Sequence, residues 1–319
     1  MQAQDEAADE PVAADEAPAA SGEAAPAPVK PFPAEIMPLA SKSMLLDVTR
    51  AGKTLIAVGD RGHILSSTDG LNWAQVNVPV RAALTAVAFA DDNRGCAVGH
   101  DAVIVCSNDG GQTWERRNFE PDLEKPFLDV VFVDADTAYA VGAYGLFYGT
   151  ADGGKTWSAV VSEAVTADEV HLNGIARLAN GDVFIAGEAG LLAVSGDRGK
   201  TWTKLESPYD SSLFGALPVS ERGALIYGLR GNVYVSADVR KGGWKQLKTN
   251  SVASMFGGVS LPSGEQALVG LNGVVLVVAA DGSVRELKTT AGTPLSSVLI
   301  QGESLLVVGE SGVQAVSLH

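Results

Sequence analysis

Short apolar runs, broken by Gly, Asp, Ser and Asn, recur along the chain from about residue 45 with no stretch of helical period. One unit reads as four strands, Leu128 to Phe132, Ala138 to Val141, Leu146 to Thr150 and Trp157 to Val161, rich in Val, Phe, Tyr and Ala and separated by Gly and Asp turns. The same point in each unit is marked by an apolar pair running into a glycine, usually followed three residues later by a second. The opening glycines are Gly59, Gly99, Gly142, Gly187, Gly228, Gly270 and Gly309, with gaps of 40, 43, 45, 41, 42 and 39 residues. Four strands repeated at this period predict an all-β chain, a seven-bladed β-propeller. The two residues between paired glycines would form a hairpin tip, with the second glycine free to take the left-handed conformation such a tip needs.

A second signature follows most of these tips. It reads Ser107-x-Asp109-x-Gly111-x-Thr113-Trp114, Thr150-x-Asp152-x-Gly154-x-Thr156-Trp157 and Ser195-x-Asp197-x-Gly199-x-Thr201-Trp202 in units two to four. Unit one carries Asp69 and Trp73 in a shorter form, unit five Asp238 and Trp244 in a longer one, and unit six only Asp281 and Gly282. This is the Asp-box, or BNR, repeat. A short carboxylate followed by Gly reads as a structural turn, in which Asp accepts from amides of its own loop and Trp packs on the next strand.

The seventh unit supplies Leu295 to Ile300, Leu305 to Val308 and Val313 to Ser317, then ends without a fourth strand or Trp. An unpaired edge is a liability, so the segment Glu35 to Leu39 is expected to add an N-terminal strand to the last blade and close the ring. Residues 34–319 form the propeller on this reading. Residues 1–33, with eleven Ala, six Pro and seven acids against one Lys, are expected to be a disordered tail.

The formal charge is −15, of which the tail holds about −6 and the propeller the remaining −9. That balance disfavours a nucleic-acid partner. No apolar run of 18 residues exists to span a membrane. An acidic tail ahead of a propeller suggests export with a signal peptide already removed, hence a periplasmic or other extracytoplasmic location. The four histidines, His63, His100, His171 and His319, show no ligand spacing, and each box offers one carboxylate where Ca²⁺ takes six to eight oxygens. No metal and no cofactor are expected.

Units of the form Ala140-Val141-Gly142-Ala143-Tyr144-Gly145 with a box ending at Trp157, and Ala97-Val98-Gly99-His100-Asp101-Ala102 with a box ending at Trp114, resemble the Ycf48-like family of photosystem II stability and assembly factors and their non-photosynthetic bacterial relatives. The resemblance covers about residues 45–316. It implies a non-catalytic binding or scaffold protein, monomeric outside its complex, whose partner is a membrane-protein complex or another envelope protein, with RND-type exporters among the partners of relatives. It departs from the photosynthetic members, which share an arginine-rich face. This chain has twelve scattered Arg and is acidic.

Because the boxes are structural, partner binding is assigned to the tips, which vary in chemistry from blade to blade: Arg61, His100, Asp101, Tyr144, Glu188, Arg230, Asn272 and Glu310. A carbohydrate-active propeller is the alternative, since Asp-boxes also occur in sialidases and glycoside hydrolases. Tyr144, Phe127, Tyr209 and Phe214 could then offer platforms for sugars. No Arg-Ile-Pro motif and no distinctive acid pair supports catalysis, so no catalytic residue is assigned. The two cysteines, Cys96 and Cys106, flank the second tip. With a three-residue tip and Ala102 left-handed they face each other and can bridge. A two-residue tip sends them to opposite faces, as free core cysteines.

Overall fold

The computed structural model describes residues 30–287, 289 and 292–318, and the chain within them folds as a seven-bladed propeller. The tail expected over 1–33 lies, up to residue 29, outside the described residues. Six blades are four-stranded antiparallel sheets in simple up-and-down order, and the seventh has three strands. The inner strands are Leu45–Ala51, Leu84–Phe89, Phe127–Phe132, Leu172–Arg177, Leu213–Pro218, Met255–Ser260 and Leu295–Gln301. The second strands, such as Ala138–Gly142 and Val183–Gly187, are buried throughout. They are flanked on both faces by neighbouring blades, so they read as unbroken apolar runs rather than alternating ones. Outer strands are short and exposed, two residues in Ser158–Ala159 and Lys245–Gln246.

The core is not one mass but seven seams, each made by two adjacent blades. Ile56 and Val58 of blade one, for example, meet Ala97, Val105 and Trp114 of blade two.

Ring closure differs from the expected strand exchange. Glu35 to Leu39 adds no strand to the last blade, whose sheet keeps only Leu295–Gln301, Ser304–Gly309 and Gly312–Ser317. Pro38 lies inside the segment and has no N–H to give a ladder. The segment runs along blade one instead. Met37 N donates to Gln75 Oε1 at 2.8 Å, Gln75 Nε2 donates to the Glu35 carbonyl at 2.8 Å, and Ala34 N donates to the Val78 carbonyl at 3.0 Å. A 3-10 turn, Ala40–Lys42, then leads into the first inner strand. Ala40 and Met37 pack with Leu45, Leu55, Leu306 and Val308, so they seal the seam between blades seven and one with side chains. Polar contacts reinforce it: Ser297 Oγ donates to Asp47 Oδ1 at 2.7 Å and Arg50 to Gln301 Oε1 at 2.6 Å.

In blade two Ala102 is left-handed (φ 48°), Gly99 N donates to the Val103 carbonyl, and Cys96 lies directly opposite Cys106. The two form a disulfide with Cα atoms 4.0 Å apart. Alkylation of the unreduced protein followed by mass spectrometry should therefore find no free thiol. Two labelled cysteines would show that the bridge does not form.

Candidate binding surfaces of the propeller

The boxes are closed hydrogen-bond units. In blade three Thr150 Oγ1 donates to Asp152 Oδ1 (2.8 Å), Thr156 N donates to the same oxygen (3.0 Å), Thr156 Oγ1 donates to Oδ2 (2.6 Å), and Trp157 Nε1 donates to the Gly154 carbonyl (3.2 Å). Blades two and four repeat this around Asp109 and Trp114, and around Asp197 and Trp202. Blade one substitutes Asn72, which donates to both oxygens of Asp69, while Trp73 keeps its bond to Gly70. The Thr156 hydroxyl and amide hold the Asp152 carboxyl down at about 2. A carboxylate with a depressed pKa lends its support above about pH 4 and loses it only as pH falls towards 2. Blade five departs from the pattern: Ser236 bonds the Gly242 carbonyl, Asp238 accepts from Arg240 N, and the buried Trp244 Nε1 has no partner.

The tips lie together at one end of the ring because each opening glycine is pressed against the start of its own inner strand. A Cβ at Gly142 would collide with the Pro126 carbonyl, to which Ala143 N donates. The turns themselves are left-handed at non-glycine residues: Arg61 (φ 56°), Asp101 (58°), Tyr144 (52°), Ala189 (51°), Arg230 (57°) and Asn272 (59°). Of the residues expected on this surface, Arg61, His100, Tyr144, Arg230, Asn272 and Glu310 are exposed, while Asp101 and Glu188 are half-buried. Blades three and four bring some of them together. The Tyr144 ring meets His171 edge-on with centroids 4.7 Å apart, and His171 N donates to Glu188 Oε2 at 3.1 Å. Arg61 stands apart with Asp60.

The aromatic platform thins out. Phe127 is fully buried in the core and Phe214 lines the central channel, leaving Tyr144 and a half-buried Tyr209 packed on Tyr234.

The channel holds residues the sequence reading passed over. Each inner strand is bulged near its start, and the residue after the bulge is Asp47, Ala86, Asp129, Gly174, Gly215, Gly257 or Ser297. The two carboxylates bolt neighbouring blades: Asp47 Oδ2 accepts from Val87 N and Asp129 Oδ2 from Ile175 N, both at 2.8 Å. Each also accepts from the amide of its own next residue, Val48 or Val130. Enclosure by protein outweighs these bonds and lifts Asp47 to about 6 and Asp129 to about 7. The repeated Leu-Asp-Val of residues 46–48 and 128–130, an acid inside an otherwise apolar inner strand, was the available signal.

The family described as photosynthesis system II assembly factor YCF48 matches residues 65–127 and 119–217. The chain is 38% identical over 60 residues to the photosystem II assembly lipoprotein Ycf48 of Prochlorococcus marinus, covering 19% of this chain and 18% of that protein. It is 32% identical over 92 residues to the chloroplastic photosystem II stability/assembly factor HCF136 of Cyanidioschyzon merolae, covering 27% of this chain and 21% of that protein. The matched stretches thus span about a fifth of either relative's length. In structure it superposes on YCF48 bound to a D1 peptide with a TM-score of 0.70 and 17% identity, over 91% of this chain and 100% of that one, a likeness of fold.

Proposed function

Because the chain belongs to the Ycf48-like propeller family, we propose that it is a non-catalytic assembly or accessory factor that docks a membrane-protein complex on its tips, on the extracytoplasmic side of the membrane. One solved relative carries a peptide of a membrane protein, D1. The acidic propeller argues for a complex other than a photosystem, and an RND-type exporter is the class we put forward. The described residues contain no helix long and apolar enough to cross a membrane.

The observation that carries the docking face is the backbone of the tips. A left-handed non-glycine residue costs on the order of 1 kcal/mol, and the fold alone would be served by Gly or Asn. Arg61, Tyr144 and Arg230 occupy such positions with exposed side chains. Large charged and aromatic groups displayed at conformational cost mark a functional surface. The combined variant Arg61→Glu, Tyr144→Ala, Arg230→Glu is expected to keep its melting temperature and to capture its partner from solubilised envelopes at least about tenfold less well, a loss of about 1.4 kcal/mol. Undiminished capture would place docking elsewhere on the propeller.

A further inference from the structure

We propose that the central channel is a binding site for an organic cation, a primary ammonium or a guanidinium. The cavity, about 240 Å³, is lined by the first halves of the inner strands. That end of each strand pairs with the glycine opening its tip, as Leu45 does with Gly59, so the cavity sits behind the tip surface. Its lining includes Asp47 and Asp129 and no Lys, Arg or His. Two carboxylates enclosed without a counter-charge are costly, and a bound cation removes that cost.

The donor set favours a cation that brings its own N–H groups. Asp47 Oδ1 is taken by Val48 N and Ser297 Oγ, and Oδ2 by Val87 N, while each Asp129 oxygen accepts one amide. A carboxylate offers about four lone-pair positions, so one remains on Asp47 and two on Asp129. A second observation comes from Tyr227. It is 6% exposed, lines the same cavity, and its hydroxyl has no hydrogen bond among the described residues. That oxygen would sit against any side chain placed at Gly215, which also lines the cavity. Phe214 and Phe256 complete the wall, with centroids 5.3 Å apart, and aromatic rings attract ammonium and guanidinium groups. A divalent metal is a poorer match. Ca²⁺ wants six to eight oxygens, and the described residues contain no group of three or more His, Cys, Asp or Glu able to hold a metal.

The titratable groups facing the cavity are Asp47, Asp129 and Tyr227, and the phenol is pushed up by burial and so stays neutral. Both carboxylates titrate upward of their ordinary range, to about 6 and about 7, so cation affinity should rise as pH passes through that interval. The site stands whether or not a partner docks on the tips. The cation could be a free amine or the end of a partner's Lys or Arg.

The test is calorimetric titration of the full chain with cadaverine, agmatine, a capped Gly-Arg-Gly peptide, neutral 1-pentanol and CaCl₂. Saturable binding of at least one of the three cations is expected at pH 8, weaker by about tenfold or more at pH 5.5, with no binding of pentanol. Tyr227→Phe should reduce affinity several-fold with an unchanged melting temperature, because its hydroxyl bonds nothing in the fold. Asp129→Asn should reduce it at least about tenfold. Tighter binding of the peptide assigns a partner's side chain, and tighter binding of the free amines assigns a small molecule. Absence of cation binding at pH 8, equal affinity in the Tyr227 variant, or binding of Ca²⁺ alone would overturn the proposal.

Discussion

Trp114→Ala is expected to destabilise the propeller by about 3–5 kcal/mol, the range for deleting a buried aromatic. Trp114 is 6% exposed and fills the seam between blades one and two beside Ile56 and Val58. Its ring meets Phe89 edge-on at 6.0 Å, and Nε1 donates to the Gly111 carbonyl at 3.0 Å. Truncation leaves both a cavity and a carbonyl without its donor, and seams this tightly packed relax only in part. Trp73→Ala should cost less, because Trp73 is only partly buried on the seam between blades seven and one. Denaturant unfolding of the two variants checks the ordering. A loss below about 1 kcal/mol at Trp114 would mean that the box Trp decorates the blade rather than holds it.

Blade six shows what an unfilled seam looks like. It has no box Trp, and a cavity of about 360 Å³ opens there between Leu225, Val235 and Leu247 of blade five and Val278 and Gly282 of blade six. Val284 packs into the same seam without filling it.

The repeat made most of this architecture legible. Strand positions in blade three were readable to within a few residues because Gly and Asp punctuation is local, and a carboxylate that satisfies its own loop needs no distant partner. For Cys96 and Cys106 the same arithmetic left two registers open, and the left-handed Ala102 of a three-residue tip selects the one in which they face. What was not legible, the path of Glu35 to Leu39 along blade one included, depends on contacts far apart in sequence. The opening glycines looked like turn residues, yet their backbone is extended, and what they avoid is a collision with a carbonyl about sixteen residues upstream, as Gly142 does with Pro126. Asp47 and Asp129 looked like exceptions within apolar strands, because nothing local reveals that seven bulged strands turn one residue each, three of them glycines, towards a shared channel. Most tip residues were readable as exposed, Asp101 and Glu188 excepted, but which tips touch depends on loop packing between blades, as with Tyr144 and His171.

Deleting residues 1–42 is expected to lower stability by about 2–4 kcal/mol, whereas deleting 1–33 should leave the melting temperature nearly unchanged. The shorter deletion removes Phe32, which is 72% exposed and whose ring lies under the Arg81 guanidinium. The longer one strips Met37 and the buried Ala40 from the seam between blades seven and one, exposing Leu306 and Val308, and leaves Gln75 without both backbone partners. A strand added to the last blade would give the same difference between the truncations, so a third protein is needed to tell the two closures apart. Gln75 belongs to blade one, and Gln75→Ala should destabilise the full chain by about 1 kcal/mol but have almost no effect once residues 1–42 are gone. That coupling is specific to a segment held along blade one. If Gln75→Ala costs the same in both backgrounds, the N-terminal segment closes the ring some other way.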